Sequence, residues 1–265
     1  MIRLSDEEML FFKREGYLIK RGVLQPALMA RARDRLWEGA PPALKRDDPD
    51  TWVGAFAKAD ENEDQGNRRQ GFRWNFREPG GEDWMVALLA TDPNVWGMAE
   101  QFLGVGKVAT PDRIRGIYCT LPYGDIPERS TTCHVDAHPF HLGVVGYIND
   151  VPAGGGGFTV WPGSHRRFYY DFHSQYKKEP IEKQHEESVA YVNQQPYVEC
   201  YGNAGDIVFW HHRMGHAAGH NYSKQIRQAV LYDFRKKDLE QTMEEPPCED
   251  MWRDWDGIQA LGDAE

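Results

Sequence analysis

The stretch GDIVFWHHRMGHAAGHNYSKQIRQAVLYDF, residues 205–234, contains two segments that predict the fold class. These segments are IVFWH (207–211) and QIRQAVLYDF (225–234), both rich in Val, Ile and aromatic residues and separated by Gly, Asn and Ser. Short segments of this composition, bounded by turn-forming residues, are typical of β-strands. The stretch therefore predicts β-structure for this part of the chain.

Segments of the same composition occur earlier in the chain. They are Arg113–Thr120, Thr131–Asp136, Leu142–Ile148 and Gly157–Trp161. Turns rich in Gly and Pro separate them, such as Pro122–Gly124 and Pro152–Gly157. Many short strands with turns of this kind predict a β-sandwich or a jelly roll. We assign this core to residues 107–235.

The first part of the chain, residues 1–106, predicts mainly helices. Ser5 followed by acidic residues is typical of a helix start, and Gly16 of its end. A short strand (17–24), a helix (26–39), a long polar loop (40–82) and a helix pair within Trp84–Leu103 follow. We expect these helices to pack on one sheet.

No stretch of linker-like composition divides the helices from the strands. We therefore expect a single domain over residues 1–265. Its last part, residues 236–265, is polar apart from residues such as Trp252 and Trp255, and predicts a tail that docks on the surface.

The composition disfavours several classes of protein. The formal net charge is −10, which disfavours nucleic acids and anionic membranes as partners. The four cysteines have no CxxC spacing, which disfavours a disulfide framework or a zinc ribbon. The N-terminus carries no apolar signal-peptide core, and no apolar stretch reaches the length of about 18 residues that spans a membrane. We expect a cytoplasmic protein in a reducing compartment, which suits iron(II), and the sequence predicts no particular oligomeric state.

The segment TTCHVDAHPFH (131–141) contains a candidate metal site. Side chains alternate along a strand, so His134 and Asp136 project to the same face and can bind one ion. A third ligand must come from another strand, where the candidates are His211, His212, His216 and His220. Two histidines and one carboxylate leave three coordination positions open, which is typical of non-haem iron(II) oxygenases, whereas catalytic zinc usually keeps one. A lone His-x-Asp pair is more often a surface histidine and its hydrogen-bond partner, so this pair alone does not establish a metal site.

Four segments together resemble the phytanoyl-CoA dioxygenase-like group of 2-oxoglutarate oxygenases. They are LSDEEMLFFKREGYLIKRGVL (4–24), CHVDAH (133–138), GGGGFTVWPGSHRR (154–167) and the stretch 205–234 quoted above. The order and spacing of the last three are specific, since Asn221 and Arg227 follow His216 at the distances typical of the group.

The resemblance implies a double-stranded β-helix (a jelly roll, cupin-like) that binds Fe(II), 2-oxoglutarate and O2. His134, Asp136 and His216 are then the metal ligands and catalytic centre. The implied reaction oxidises a C–H bond of a small-molecule substrate, with succinate and CO2 as co-products. Hydroxylation is the default outcome, and desaturation, cyclisation and demethylation are compatible with the same site. Halogenation is disfavoured, because relatives that halogenate replace the carboxylate that Asp136 supplies here.

The resemblance also implies the residues that bind 2-oxoglutarate. Arg227 is expected to pair with the distal carboxylate, because a planar guanidinium matches a carboxylate with two hydrogen bonds. Thr132, on the strand face of His134, and Thr159 are further candidates. This chain departs from some relatives in lacking a Lys just before the turn at Pro122, and in having Cys133 where an aromatic residue often stands.

Two regions are candidates for the substrate pocket. Residues 71–80, GFRWNFREPG, carry arginines that suit a substrate with a carboxylate or phosphate, or that pair with acidic residues instead. The candidate substrate-binding residues are Arg73, Trp74, His138 and Phe140. The charged and aromatic stretch 166–189 is either a lid over the substrate or a surface loop.

Two other functions remain open at this point. One is a cupin-type metal oxygenase that needs no 2-oxoglutarate, and the other is a jelly-roll binding protein without enzymatic activity. Arg227 disfavours both, because a charged residue inside an apolar strand requires an anionic partner.

Overall fold

Two antiparallel β-sheets form the centre of the computed structural model, which describes residues 2–262. The strands are β1 (Tyr17–Lys20), β2 (Asn67–Gln70), β3 (Arg73–Phe76), β4 (Gly116–Thr120), β5 (Leu142–Tyr147), β6 (Phe158–Val160), β7 (Val198–Cys200), β8 (Ile207–His211), β9 (His216–Ala218) and β10 (Arg227–Phe234). The larger sheet has the order β1-β8-β5-β10-β4-β3-β2, and the smaller has the order β7-β6-β9.

Helices flank the sheets and connect strands of both. They are α1 (Asp6–Glu15), α2 (Pro26–Glu38), α3 (Asp83–Leu88), α4 (Pro93–Leu103), α5 (Ser164–Phe168), α6 (Glu182–Val192), α7 (Leu239–Thr242) and α8 (Asp256–Gln259). Short 3-10 turns lie at Pro49–Trp52, Glu78–Gly81 and Tyr169–Asp171. Within residues 2–262, every helix is too short or too polar to cross a lipid bilayer.

Alternation along the central strands produces a hydrophobic core on each face of the larger sheet. On the inner face, Val208 and Trp210 pack with Phe158 of the smaller sheet. On the outer face, Phe209 packs against the helices, and its ring lies 5.6 Å from that of Phe102 in α4. Two facing sheets with helices on the outside confirm the prediction of a jelly roll with its N-terminal helices on one sheet.

The first helix shows how local sequence fixes an element. The Ser5 side chain accepts a hydrogen bond from the Glu8 amide, and the Glu8 carboxylate accepts one from the Ser5 amide, which is a capping box. Gly16 ends the helix at a φ of 80°, a left-handed conformation that favours glycine. An added Cβ there would lie 2.4 Å from the His165 ring, so close packing also requires glycine.

Three expectations about secondary structure and packing need correction. Residues 40–82 are not one long loop, because β2 and β3 form a hairpin that extends the larger sheet. Thr131–Asp136 is not a regular strand, since its pairing is limited to one bridge between His134 and His216. The C-terminal segment does more than dock on the surface, because Trp255 is fully buried against Phe12 and Phe102.

Candidate metal centre

His134, Asp136 and His216 come together at one end of the gap between the sheets. Their nearest ligand atoms lie within 4.8 Å of one another. The Asp136 Oδ1 atom lies 3.7 Å from His216 Nε2 and 3.9 Å from His134 Nε2. The bridge between His134 and His216, with N–H···O distances of 2.9 and 3.0 Å, aligns the two imidazoles. Two imidazoles and one carboxylate converge in this way on a space that one divalent cation can occupy.

The His216 imidazole is fixed in the orientation and tautomer that a metal ligand needs. Its Nδ1 atom lies 2.9 Å from the carbonyl oxygen of Met214, which can only accept, so Nδ1 carries the proton. The Nε2 lone pair therefore faces Asp136. Phe158 stacks on the ring at 5.2 Å and Trp210 lies at 5.7 Å, which fixes the plane of the imidazole. A hydrogen bond from the second ring nitrogen of a ligand histidine is common in metal sites.

Arg115 determines which oxygen of Asp136 is free. Its Nη2 atom donates to Asp136 Oδ2 at 2.8 Å, which leaves Oδ1 facing the histidines. Asp233 in turn holds Arg115 through two hydrogen bonds of 2.6 and 2.7 Å. Burial alone would raise the pKa of Asp136, but His216 and Arg115 hold it well below its usual range. Asp136 is therefore an ionised carboxylate with one oxygen available to a cation.

A second group of possible ligands, Asp136, His138 and Asp233, is already filled by a cation of the protein. The Arg115 Nη2 atom lies 2.8 Å from Asp136, 2.7 Å from Asp233 and 3.0 Å from His138. His138 also contacts Asp233 at 2.8 Å and stacks on Phe140. Burial would raise the pKa of Asp233, but the charges of Arg115 and His138 lower it. A metal ion therefore fits the group with His134 and His216, and not this one.

Arg227 lies on the inner face of the larger sheet, 4% exposed, and contacts backbone carbonyls. Its Nε atom donates to Gly156 at 3.1 Å and Nη1 to Tyr118 at 3.2 Å. Burial lowers its pKa, and in the described part of the chain no Asp or Glu lies close enough to offset this effect. The guanidinium is thus a buried positive charge that an anionic ligand would neutralise.

The other histidines of the stretch 205–221 do not join the metal group. His211 stacks on Trp255 at the end of β8, and His212 packs on Tyr176. His220 packs on Tyr123, with its Nδ1 atom 3.3 Å from the Arg129 carbonyl oxygen. Of the four candidates, His216 alone shares a ligand group with His134 and Asp136 among residues 2–262.

The two threonines do not lie with Arg227. Phe158 and Val160 point into the core between the sheets, so Thr159 between them points away from it. Its hydroxyl donates to the Gly157 carbonyl oxygen at 3.2 Å, and it lines a separate small cavity. Thr132 is exposed on the surface. The roles of both residues in binding 2-oxoglutarate stay predictions.

A cavity of about 810 Å³ opens beside Asp136. Arg77, Arg113 and Arg235 line it, together with His138 and the ring of Tyr118. It is large enough for a small-molecule substrate, for which a few hundred Å³ are typical. Of residues 71–80, Arg77 lines this cavity, and the role of the segment in binding substrate stays a prediction.

The remaining candidate substrate residues lie elsewhere. Trp74 is fully buried with Trp37 and Phe76 in the core beneath the helices, because its side chain points to the outer face of β3. Phe140 is 1% exposed and packs in the core between the sheets. Arg73 points to the inner face and donates to the Ala218 carbonyl oxygen at 3.0 Å. These three residues therefore do not line the cavity beside Asp136.

The stretch 166–189 packs beside the metal group. The buried guanidinium of Arg213 donates to carbonyl oxygens of residues 174, 175 and 177, at 2.8 to 2.9 Å. Lys178 donates to the carbonyl oxygen of Val135 at 3.1 Å, between two of the candidate ligands. The stretch is thus an anchored wall in this conformation.

Arg115 and Asp233 were missed by the sequence analysis. Both are charged residues next to or within strands whose other side chains are mostly buried. The same signal singled out Arg227, because a buried charge requires a partner. Applied to every strand, it would have singled out both residues, although not their pairing with each other.

The comparisons with known proteins agree with this geometry. The profile of the family described as phytanoyl-CoA dioxygenase (PhyH) matches residues 12–229. None of the curated proteins matches the chain significantly. Among solved structures, SnoK, a non-heme alpha ketoglutarate dependent carbocyclase from nogalamycin biosynthesis, has 21% identity and a TM-score of 0.56, covering 94% of this chain and 95% of its own.

Two further solved structures are similar. EctD from S. alaskensis, with bound Fe, has 17% identity and a TM-score of 0.57, covering 99% of this chain and 85% of its own. The epimerase SnoN, in complex with Fe3+, alpha ketoglutarate and nogalamycin RO, has 20% identity and a TM-score of 0.53, covering 93% and 96%. At these identities the likeness concerns the fold.

Proposed function

The chain belongs to the phytanoyl-CoA dioxygenase family, and we propose that it is an Fe(II)- and 2-oxoglutarate-dependent dioxygenase that oxidises a C–H bond of a small molecule. The observation that carries this proposal is the group of His134, Asp136 and His216 at the end of a gap that also holds the buried guanidinium of Arg227. A metal-binding protein without 2-oxoglutarate has no need for that buried charge.

The donor set suits iron(II). Two imidazole nitrogens and one carboxylate oxygen leave positions for a bidentate co-substrate and for dioxygen. When bound there, iron with 2-oxoglutarate and O2 supplies the oxidation of an unactivated C–H bond, with succinate and CO2 as co-products. Asp136 supplies a carboxylate ligand, so the site has no vacant position for a halide, and hydroxylation is the default reaction.

The protein's own groups orient and enclose these partners. Arg227 offers a planar fork of donors to the distal carboxylate of 2-oxoglutarate, and burial strengthens this interaction by excluding water. Arg115 holds Oδ2 of Asp136, so that a cation meets Oδ1 alone. Phe158 and Trp210 fix the ring of His216 and exclude water from one side of the site.

The substrate is proposed to bind in the cavity beside Asp136. Its lining includes Arg77, Arg113 and Arg235. The Arg77 side chain donates to the Tyr118 hydroxyl and to Gln65, which are neutral partners, each at 2.8 Å. These guanidinium groups favour a substrate with a carboxylate or phosphate, which they can bind with paired hydrogen bonds.

The thiols support a reducing location for the enzyme. The four cysteines are free: Cys119, Cys133, Cys200 and Cys248. Free cysteines are usual where glutathione keeps thiols reduced, and such a compartment also preserves iron(II). We therefore place the protein in the cytoplasm.

An anaerobic titration tests the proposed function. Iron(II) is added to the protein, then 2-oxoglutarate, and the weak visible charge-transfer absorption of the chelate is recorded for the wild type, Arg227→Met and Asp136→Ala. We expect a saturable band in the wild type, a band that needs about 10- to 100-fold more 2-oxoglutarate in Arg227→Met, and loss of iron binding in Asp136→Ala.

Other results of this titration would contradict the proposal. If iron binds but no band appears, 2-oxoglutarate is not the co-substrate. That result would favour an oxygenase that needs no co-substrate, or a binding protein. Normal iron binding by Asp136→Ala would show that Asp136 is not a ligand, and would contradict the proposed ligand set.

A further inference from the structure

Arg73, Thr120 and Arg227 form one row across three neighbouring strands. In the register of the larger sheet, Thr120 of β4 pairs with Arg73 of β3 on one side and with Arg227 of β10 on the other. Residues paired directly across antiparallel strands point to the same face. The three side chains therefore share the inner face, on which Ala229 and Leu231 of β10 also lie.

The middle of this row is an unpartnered polar atom. Thr120 is fully buried, and in the described chain its hydroxyl has no hydrogen-bond partner. A buried hydroxyl without a partner costs free energy, so its presence calls for a ligand or water.

The two arginines of the row also lack a carboxylate partner among the described residues. Arg73 donates to the Ala218 carbonyl oxygen at 3.0 Å, as Arg227 does to Gly156, and neutral carbonyls leave the charges uncompensated. Burial, and then the charge of Arg227, lowers the pKa of Arg73, and no Asp or Glu of the described residues offsets this. A buried and a partly buried cation side by side, without a counter-ion among the described residues, are expected to bind an anion of matching charge.

Arg73 lies on the metal side of the row. Its hydrogen-bond acceptor, Ala218, is in β9, the strand that begins with His216. Arg73 thus connects the surroundings of Arg227 with those of the metal group.

We propose that Arg73 and Thr120 complete the 2-oxoglutarate site, with the Arg73 guanidinium on the metal side of Arg227, where it binds the carboxylate nearer the metal. The inference rests on the proposed function. 2-Oxoglutarate is a dianion, and two guanidinium groups at separate ends neutralise it. Arg73 then belongs to the co-substrate site rather than to the substrate pocket.

The test compares 2-oxoglutarate with 2-oxopentanoate, which lacks the distal carboxylate. Both are titrated anaerobically into the iron(II) protein, with the charge-transfer band as readout, for the wild type, Arg73→Met, Arg73→Lys, Thr120→Val and Arg227→Met. Arg68→Met is the matched control, because Arg68 lies in the same hairpin and contacts Gln70.

We expect Arg73→Met to weaken binding of both compounds about 10- to 100-fold, because each retains the carboxylate nearer the metal. Arg227→Met should weaken binding of 2-oxoglutarate alone. Arg73→Lys should fall between Arg73→Met and the wild type, and Thr120→Val should weaken both compounds by a smaller factor. Iron(II) affinity in Arg73→Met should stay equal or rise, since a neighbouring cation is lost, whereas damage to the fold would lower it.

The possible failures are distinct. A wild type without a band overturns the proposed function and this inference with it. A normal wild type with unchanged binding in both Arg73 variants overturns the inference alone. If Arg73→Met weakens binding of 2-oxoglutarate but not of 2-oxopentanoate, Arg73 contacts the distal carboxylate. That result overturns its assignment to the metal side.

Discussion

Acid should destabilise this protein well before its carboxylates titrate, because of a group of buried histidines near the end of β8. The group comprises His141, His165, His211 and His212, each with one ring nitrogen that lacks a hydrogen-bond partner within residues 2–262. Burial, and then nearby positive charges, lowers the pKa of His141 and of His165 to about 3. The same causes lower the pKa of His211 and His212 well below its usual range.

The sign of the effect follows from proton binding. Between pH 6.5, the ordinary histidine pKa, and about 3, the unfolded chain binds protons at these positions and the folded chain does not. The free energy of unfolding therefore falls as the pH falls through this window. His141 and His165 each contribute about 1.4 kcal/mol less stability at about pH 5.5 than at about pH 7.5. His141 and His165 together amount to about 3 kcal/mol, to which His211 and His212 add in the same direction, and this is a large share of the stability of a typical domain.

Urea unfolding of the metal-free protein, followed by tryptophan fluorescence, measures this dependence. The matched variant is His211→Asn, whose amide oxygen can replace Nδ1 as acceptor of the Arg213 amide hydrogen. In this variant, unfolding should take up about one proton fewer at acid pH. The slope of the free energy of unfolding against pH should therefore be smaller by about 1.4 kcal/mol per pH unit. A free energy of unfolding that stays constant from about pH 7.5 to about 5.5, or a slope that His211→Asn leaves unchanged, would refute the reasoning.

Other expected outcomes concern the metal group and the packing of the C-terminal segment. Arg115→Met should weaken iron(II) binding about 10- to 100-fold in an anaerobic titration, because Asp136 loses the donor that orients it, and equal affinity would count against this role. Iron(II) at about 100 times its dissociation constant should raise the free energy of unfolding by about 2.7 kcal/mol, and EDTA or Asp136→Ala should abolish the gain in a thermal melt. Gly257→Ala should cost about 3 kcal/mol in urea unfolding, since its Cβ would lie 1.6 Å from the Gln101 carbonyl oxygen, and wild-type stability would contradict that contact.

The parts of the fold that the sequence predicted well are those whose side chains follow the strand period. β8 was predicted at its observed bounds, and β5 and β10 within one or two residues, because Val, Ile and aromatic residues fill both of their buried faces. The hairpin of β2 and β3 was missed, since NRRQ and the arginine of RWNF read as polar loop. β2 is the edge strand of the sheet, and only one face of β3 meets a core, so the composition at the arginine positions is set by solvent and by the site.

The candidate site also has features that local sequence predicts and features that depend on packing between distant segments. The spacing of His134 and Asp136 brought them together as expected, although through one bridge rather than a strand. Local sequence could not show that Thr159 points away from the gap, because that depends on which neighbour packs inward. The pairing of Arg115 with Asp233 depends on the register of β4 and β10, which no local pattern contains.

The edge strand β1 has a consequence for how the chain is made. Its partner is β8, so Tyr17 can pair only after Trp210 has been synthesised and has emerged from the ribosome. At a rate of ~5–20 residues per second, that delay lasts on the order of ten seconds or more. Throughout it, the apolar face of α1, including Phe12, lacks its later partner Trp255. Nascent chains of this protein should therefore depend on chaperones that hold the N-terminal helices, and metal can be loaded only after most of the chain has been synthesised.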